Sequence, residues 1–156
     1  MNLISEIDFR DRERLEAWIG RWSEVGPRLQ LGQELINGFA ELSGDHNWIH
    51  VDLERCVRES PFGGAVAHGN LVLSLIPRMR PEEAWRVAGH RQAINRGFNK
   101  VRFLRPVLAG SVLRCRAQLL AVEVGKKGTD LVKEYCVYRD GQDEPALAAE
   151  ILLRYA

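Results

Sequence analysis

The sequence predicts a single α+β domain in which an antiparallel sheet wraps around one buried helix. Three observations carry that expectation. After Gly69 the run Leu71, Val72, Leu73, Leu75 and Ile76 is apolar on nearly all sides, which marks a helix buried rather than laid on a surface. From Arg91 onward the apolar rhythm changes to two, the period of a half-buried strand. Gly125-Lys126-Lys127-Gly128 and Asp140-Gly141-Gln142-Asp143 then separate apolar runs as hairpin connections do. A chain of 156 residues suits one domain with a real core and leaves little room for a second.

Taken in order, residues 1–22 form an N-terminal extension and 23–156 the main domain. Leu15, Trp18, Ile19 and Trp22 recur at helical spacing, so an amphipathic helix is expected over Asp11 to Arg21, with Trp18 and Trp22 on one packed face. Gly26-Pro27 marks a connection. Leu35, Ile36, Phe39 and Leu42 predict a second helix from Gln33, ending near Ser43-Gly44 because glycine tolerates the helix-exit geometry. The apolar helix after Gly69 is expected to stop near Pro77, which restricts Ile76. Arg78 to Gly89 reads as a charged, solvent-facing excursion anchored by Trp85. The first strand, Asn95 to Phe103, alternates so that Asn95, Gly97, Asn99, Val101 and Phe103 share one side. Arg96, Phe98, Lys100 and Arg102 share the other. Further strands fit Ser111–Val124, Thr129–Tyr138 and Ala146–Tyr155.

The chemistry concentrates between Phe39 and Asn70. Asp45 and His50 lie five residues apart in a polar, turn-prone segment, and His68-Gly69 opens the apolar helix. A carboxylate can hold water and orient an imidazole, whose proton chemistry operates near neutral pH. Backbone N–H groups at a helix start suit a developing negative oxygen. Together they point to addition of water across a polarised double bond, or the reverse. Asn47 favours a loop hydrogen bond, Asp52 a helix cap and His46 an exposed, local role. Asp45, His50 and His68 carry metal-ligand atoms without a close-spaced ligand motif, so no metal is expected.

The run from Ser43-Gly44-Asp45-His46-Asn47-Trp48-Ile49-His50 to Ala67-His68-Gly69-Asn70 resembles the active-site segment of the MaoC-like dehydratases, a family that includes (R)-specific enoyl-CoA hydratases. Ile94 to Phe103 resembles its nodulation-protein-N branch. The resemblance implies a hot dog fold and reversible hydration of a trans-2-enoyl-CoA to an (R)-3-hydroxyacyl-CoA. It assigns water activation to Asp45 and His50, an oxyanion-holding N–H to Gly69, and support to Asn47 and His68. Phe62, Gly64, Asn95 and Gly97 become expected substrate contacts, and Arg96, Lys100 and Arg102 expected partners for the coenzyme A phosphates. Coenzyme A enters as part of the substrate; no cofactor is expected. The family's single domains generally work as dimers, and pairing would protect an exposed sheet edge, so a homodimer is expected.

Composition narrows the remaining classes. A formal net charge of +1 gives no broad nucleic-acid footprint, and no Gly-x-Gly-x-x-Gly run follows a strand. Neither a leader-like segment nor an apolar run of spanning length is evident, so a cytoplasmic protein without a membrane partner is expected. Cys56, Cys115 and Cys136 are widely separated and odd in number, as reduced structural thiols would be. The competing functions are an acyl-CoA thioesterase and a non-catalytic dimer that binds acyl thioesters.

Overall fold

The computed structural model describes residues 4–156. Its main sheet is built from β5 (Val112–Gly125), β6 (Gly128–Arg139) and β7 (Pro145–Tyr155), consecutive antiparallel hairpins, with β4 (Ala93–Phe103) antiparallel to β7. A short β2 (Leu29–Gln30) pairs with β5, giving the order β2-β5-β6-β7-β4. Alternation makes one face of this sheet apolar: Leu113, Cys115, Ala117 and Leu119 are buried on β5, and Leu131, Tyr135 and Val137 on β6. Gly128, at φ +133°, closes the tight β5–β6 turn where any Cβ would meet the Tyr155 carbonyl.

The apolar helix lies on that face. It is α5 (Gly69–Ser74), and it passes through Leu75 into a 3₁₀ turn, Ile76–Met79. The α-helix is therefore shorter than its apolar run. Pro77 sits near the start of the tighter turn, where its missing N–H costs least. Leu71, Val72, Leu75, Ile76 and Met79 pack with Cys115, Tyr135, Val137, Leu147 and Ala149 into the principal core. Burial pushes the Cys115 thiol up to about 12 and the Cys136 thiol to about 11, so both stay protonated and inert near neutral pH.

Three sequence expectations are corrected by the backbone. The helix expected over Asp11 to Arg21 is only α1 (Arg12–Glu16). Ile19 and Trp22 instead form bridges with Leu119 and Gln118, and the N–H groups of Gly20 and Ser23 donate to β5 carbonyls. The sheet thus takes the hydrogen bonds that a longer helix would have kept. Trp18 consequently stacks on Trp85 at 6.0 Å, while Trp22 lies half-exposed beside the Arg116 guanidinium. The excursion from Arg78 to Gly89 contains a strand, β3 (Trp85–Ala88), paired in parallel with β1 (Ser5–Asp8). Finally, the strict alternation expected along β4 is broken by register shifts between Asn95 and Gly97 and between Phe98 and Lys100. Each extra residue reverses which side chains face the core.

The β1–β3 pair organises a second core of Ile7, Leu15, Trp85, Leu119 and Leu131, which joins the N-terminal segment to the main sheet. Residues 1–3 of the expected extension lie outside the described residues. Lys133 is buried at the margin of this second core, ion-paired to Glu83 at 2.5 Å, with its ammonium 4.5 Å from the Trp85 ring centre. Burial lowers its pKa below the ordinary lysine value, against the upward pull of Glu83.

Candidate active site

The site is assembled by a helix exit, two capped turns and a helix start. α2 (Gln33–Ser43) ends at Gly44, whose left-handed φ of +77° lets its N–H return to the Ala40 carbonyl. The next residue is Asp45. Its Oδ1 accepts the Asn47 N–H at 3.2 Å, and the Asn47 side chain in turn accepts the Ile49 N–H at the start of α3 (Trp48–Val51). Asp52 caps α4 (Leu53–Glu59) by accepting the Arg55 N–H at 2.9 Å. Asn47 and Asp52 are both engaged in shaping the loop.

His50, on α3, is buried. Its Nδ1 lies 2.6 Å from the Val66 carbonyl, which only a protonated ring nitrogen can satisfy, so a neutral ring keeps its acceptor at Nε2. The surrounding backbone is fixed as well: Gln33 Nε2 donates to the His50 carbonyl at 2.7 Å, and the Val66 N–H donates to Ile49 at 3.0 Å. His68 is also buried and stacks on His50, with ring centres 3.7 Å apart. Its Nε2 donates to the Asp45 carbonyl at 2.9 Å, and the Phe39 ring packs at 5.1 Å. One His68 bond therefore holds the Asp45 backbone, while the Asp45 carboxylate stays half-exposed with Oδ2 3.9 Å from the same nitrogen.

Asp45, His50 and His68 each bring a ligand-type atom to within 4.8 Å of the others. Such a trio can grip a water molecule or a cation, but each imidazole has one nitrogen already committed to a backbone carbonyl. Gly69, the first residue of α5, completes the group. A Cβ there would stand 2.8 Å from atoms of the Phe103 ring, so the close approach of β4 requires glycine. Asp45, His50, His68, Gly69, Phe62 and Phe103 all border one cavity of about 630 Å³.

The other expected contact residues are dispersed. Gly64 accepts a hydrogen bond from Ser60 Oγ at 2.7 Å and does not border the cavity. Asn95 borders a second cavity, together with Phe98. Gly97 takes φ +135° within the β4 irregularity. Arg96 pairs with Asp130 at 3.3 Å and Lys100 with Glu150 at 3.1 Å, while Arg102 donates to its neighbour's carbonyl. Arg105, whose sequence position beside these basic residues also makes it a candidate for phosphate contact, does border the main cavity, paired with Glu144. Sequence reasoning did not assign Gln33, Phe39, Val66 or Phe103 to the site. Each reaches it through a fold contact. The one local signal was that Phe39 begins the polar segment.

The model of the MaoC-like domain matches residues 15–138. The 3-hydroxyacyl-thioester dehydratase Z of Mycobacterium tuberculosis is 43% identical over 124 residues, 79% of this chain and 81% of the relative. Nodulation protein N of Rhizobium meliloti is 37% identical over 148 residues, 94% and 89% of the two chains. Among solved structures, the unliganded R-hydratase PhaJ1 of Pseudomonas aeruginosa superposes with a TM-score of 0.67 at 23% identity, covering 88% of this chain and 81% of that one. The curled sheet around a central helix is thus the hot dog fold, and the chain belongs to the MaoC-like dehydratase family of enzymes.

Proposed function

We propose that this enzyme catalyses reversible syn hydration of trans-2-enoyl-CoA to (R)-3-hydroxyacyl-CoA, acting as a cytoplasmic homodimer without a metal or cofactor. The reading rests on one observation above the rest: the Asp45/His50 pair and Gly69, some twenty residues further along the chain, border a single cavity. The Asp45 carboxylate and His50 Nε2 grip a water molecule, whose oxygen bonds to the β carbon. The proton removed from that water is held by the same pair and delivered to the α carbon on the same face. As the double-bond electrons move toward the thioester, the Gly69 N–H donates to the oxygen that gains charge. His68 keeps Asp45 in place through its carbonyl.

The dehydratase named among the relatives and the hydratase among the solved structures support this reaction class. Three free, buried cysteines fit a reducing compartment, and no helix among the described residues is long and apolar enough to cross a membrane. The test follows loss of the enoyl absorbance with crotonyl-CoA and longer trans-2-enoyl-CoA substrates, resolving product stereochemistry. Asp45→Asn and His50→Ala are each expected to lower kcat by about 10²-fold or more. Release of free thiol without a 3-hydroxyacyl product would favour thioester hydrolysis instead. Unchanged turnover in both variants would remove Asp45 and His50 from the chemistry.

A further inference from the structure

The second cavity, of about 520 Å³, shares a bordering residue with the first. Asn70, in the first turn of α5, borders both. The walls follow the pairing of β4 with β7: Phe103 lies opposite Leu147 at the catalytic end, and Phe98 opposite Ile151 and Asn95 opposite Leu153 at the far end. Leu73, Ile76, Phe98, Ile151 and Leu153 make the far cavity largely apolar.

Of the polar residues that border it, Arg80 and Tyr135 carry the groups best suited to an anion. Arg80, just beyond the 3₁₀ turn, is exposed at the border of the cavity, and among the described residues its guanidinium has no hydrogen-bond or ion-pair partner, which leaves it free to meet an anion there. Tyr135, buried on β6, borders it too, and its hydroxyl makes no hydrogen bond to another described residue. The neighbouring charges do not supply the missing anion. Glu83 is committed to Lys133 at 2.5 Å. Arg80 lies near enough to Tyr135, Lys133, Tyr155 and Cys115 to act on each electrostatically. A largely apolar cavity bordered by an unpaired guanidinium and a phenol suits a chain that is apolar along its length and anionic at its tip.

Resting on the thioester-hydratase reading above, we infer that the acyl group runs from the catalytic cavity past Asn70 into the second cavity. There Arg80 and Tyr135 select acyl chains that end in a carboxylate. The rise of the α5 helix and its 3₁₀ turn sets the reach between Gly69 and Arg80 at ~18 Å, so short acyl groups end before the arginine and gain nothing from it.

Binding can be tested independently of turnover with saturated ligands, which cannot be hydrated. Straight-chain acyl-CoA thioesters from octanoyl to dodecanoyl, and their ω-carboxyl counterparts, would be titrated calorimetrically into the wild type, Arg80→Gln and Tyr135→Phe. The wild type is expected to bind the best-fitting carboxyl-ended thioester about tenfold more tightly than its methyl-ended match, the scale of one charge-assisted hydrogen bond. Arg80→Gln should abolish that preference while leaving methyl-ended binding within about twofold, and Tyr135→Phe should reduce it. Equal affinities in the wild type, or a preference that survives Arg80→Gln, would overturn the inference, as would failure to bind either ligand series. Parallel hydration assays separate the two readings. Turnover with no carboxylate preference leaves the hydratase standing and removes the inference; an Arg80-dependent preference with no turnover does the opposite.

Discussion

At Gly69 the identity of one residue is set by another 34 positions away. The Phe103 ring occupies the place a Cβ would take, with three ring atoms at 2.8 to 2.9 Å. Gly69→Ala must push Phe103 aside or shift the start of α5, and overpacking of this kind typically costs ~1–3 kcal/mol. Urea unfolding should register that loss. Initial rates should fall by about tenfold or more as the proposed N–H donor moves, and shortening the neighbour in Gly69→Ala/Phe103→Leu should recover most of the stability. Native stability and full activity in Gly69→Ala would show that the approach is looser than drawn and that the N–H position is not critical. The same residue marks how far a sequence reaches at this scale. Asp45 and His50 stood out by residue type and local spacing and Gly69 by its place before an apolar helix, while the roles expected of them came from the family resemblance. Phe103 was legible only as a strand residue, since nothing near it in sequence indicates the helix start it covers. Gln33 was hidden for the same reason: its bond to the His50 carbonyl exists only after α2 and α3 have packed.

Among the elements, β5, β6 and β7 follow their sequence signals closely because hairpins bring neighbouring segments together and alternation continues through nearly every turn. β1 and β3 gave little warning. Each has only four residues, and they pair across some eighty positions; in β1 only Ile7 is buried. The β4 bulges were equally unreadable, because an inserted residue changes the facing pattern without changing composition. What ties the unexpected β3 to the main sheet includes the buried pair of Glu83, just ahead of that strand, with Lys133 on β6. Removing one partner of a buried pair leaves the other charge uncompensated. Glu83→Gln is therefore expected to destabilise the fold by ~2–4 kcal/mol in chemical denaturation, softened where Lys133 sheds its proton. The double variant Glu83→Gln/Lys133→Met should regain much of that loss, because an apolar side chain against Trp85 needs no counter-charge. Equal losses in the single and double variants would mean that packing, rather than charge pairing, holds this junction.

Over the whole molecule, the central asymmetry is between the two sides of the cavities. α5 and β7 are packed into the core, whereas β4 ends the sheet with one side unpaired. Most of its residues are exposed, including Ile94, Phe98 and Phe103, and both aromatics border the cavities. A long edge strand with one free side invites pairing, and a second copy related by a two-fold axis would satisfy the free backbone groups while covering the cavities that β4 borders. The proposed dimer and the proposed active site therefore share an edge. Light scattering at micromolar concentration is expected to give a particle of twice the 17.7 kDa chain mass. Ile94→Lys, which places a charge on that edge outside both cavity walls, should shift the protein toward monomer and make its melting temperature less dependent on concentration. If β4 pairing also covers the cavities, the same variant should raise KM more than it lowers kcat, because the acyl channel would lose a wall while Asp45, His50 and Gly69 keep their local supports. A dimer that persists in Ile94→Lys with unchanged kinetics would place the subunit contact elsewhere, and the cavities would then have to be closed by the substrate itself.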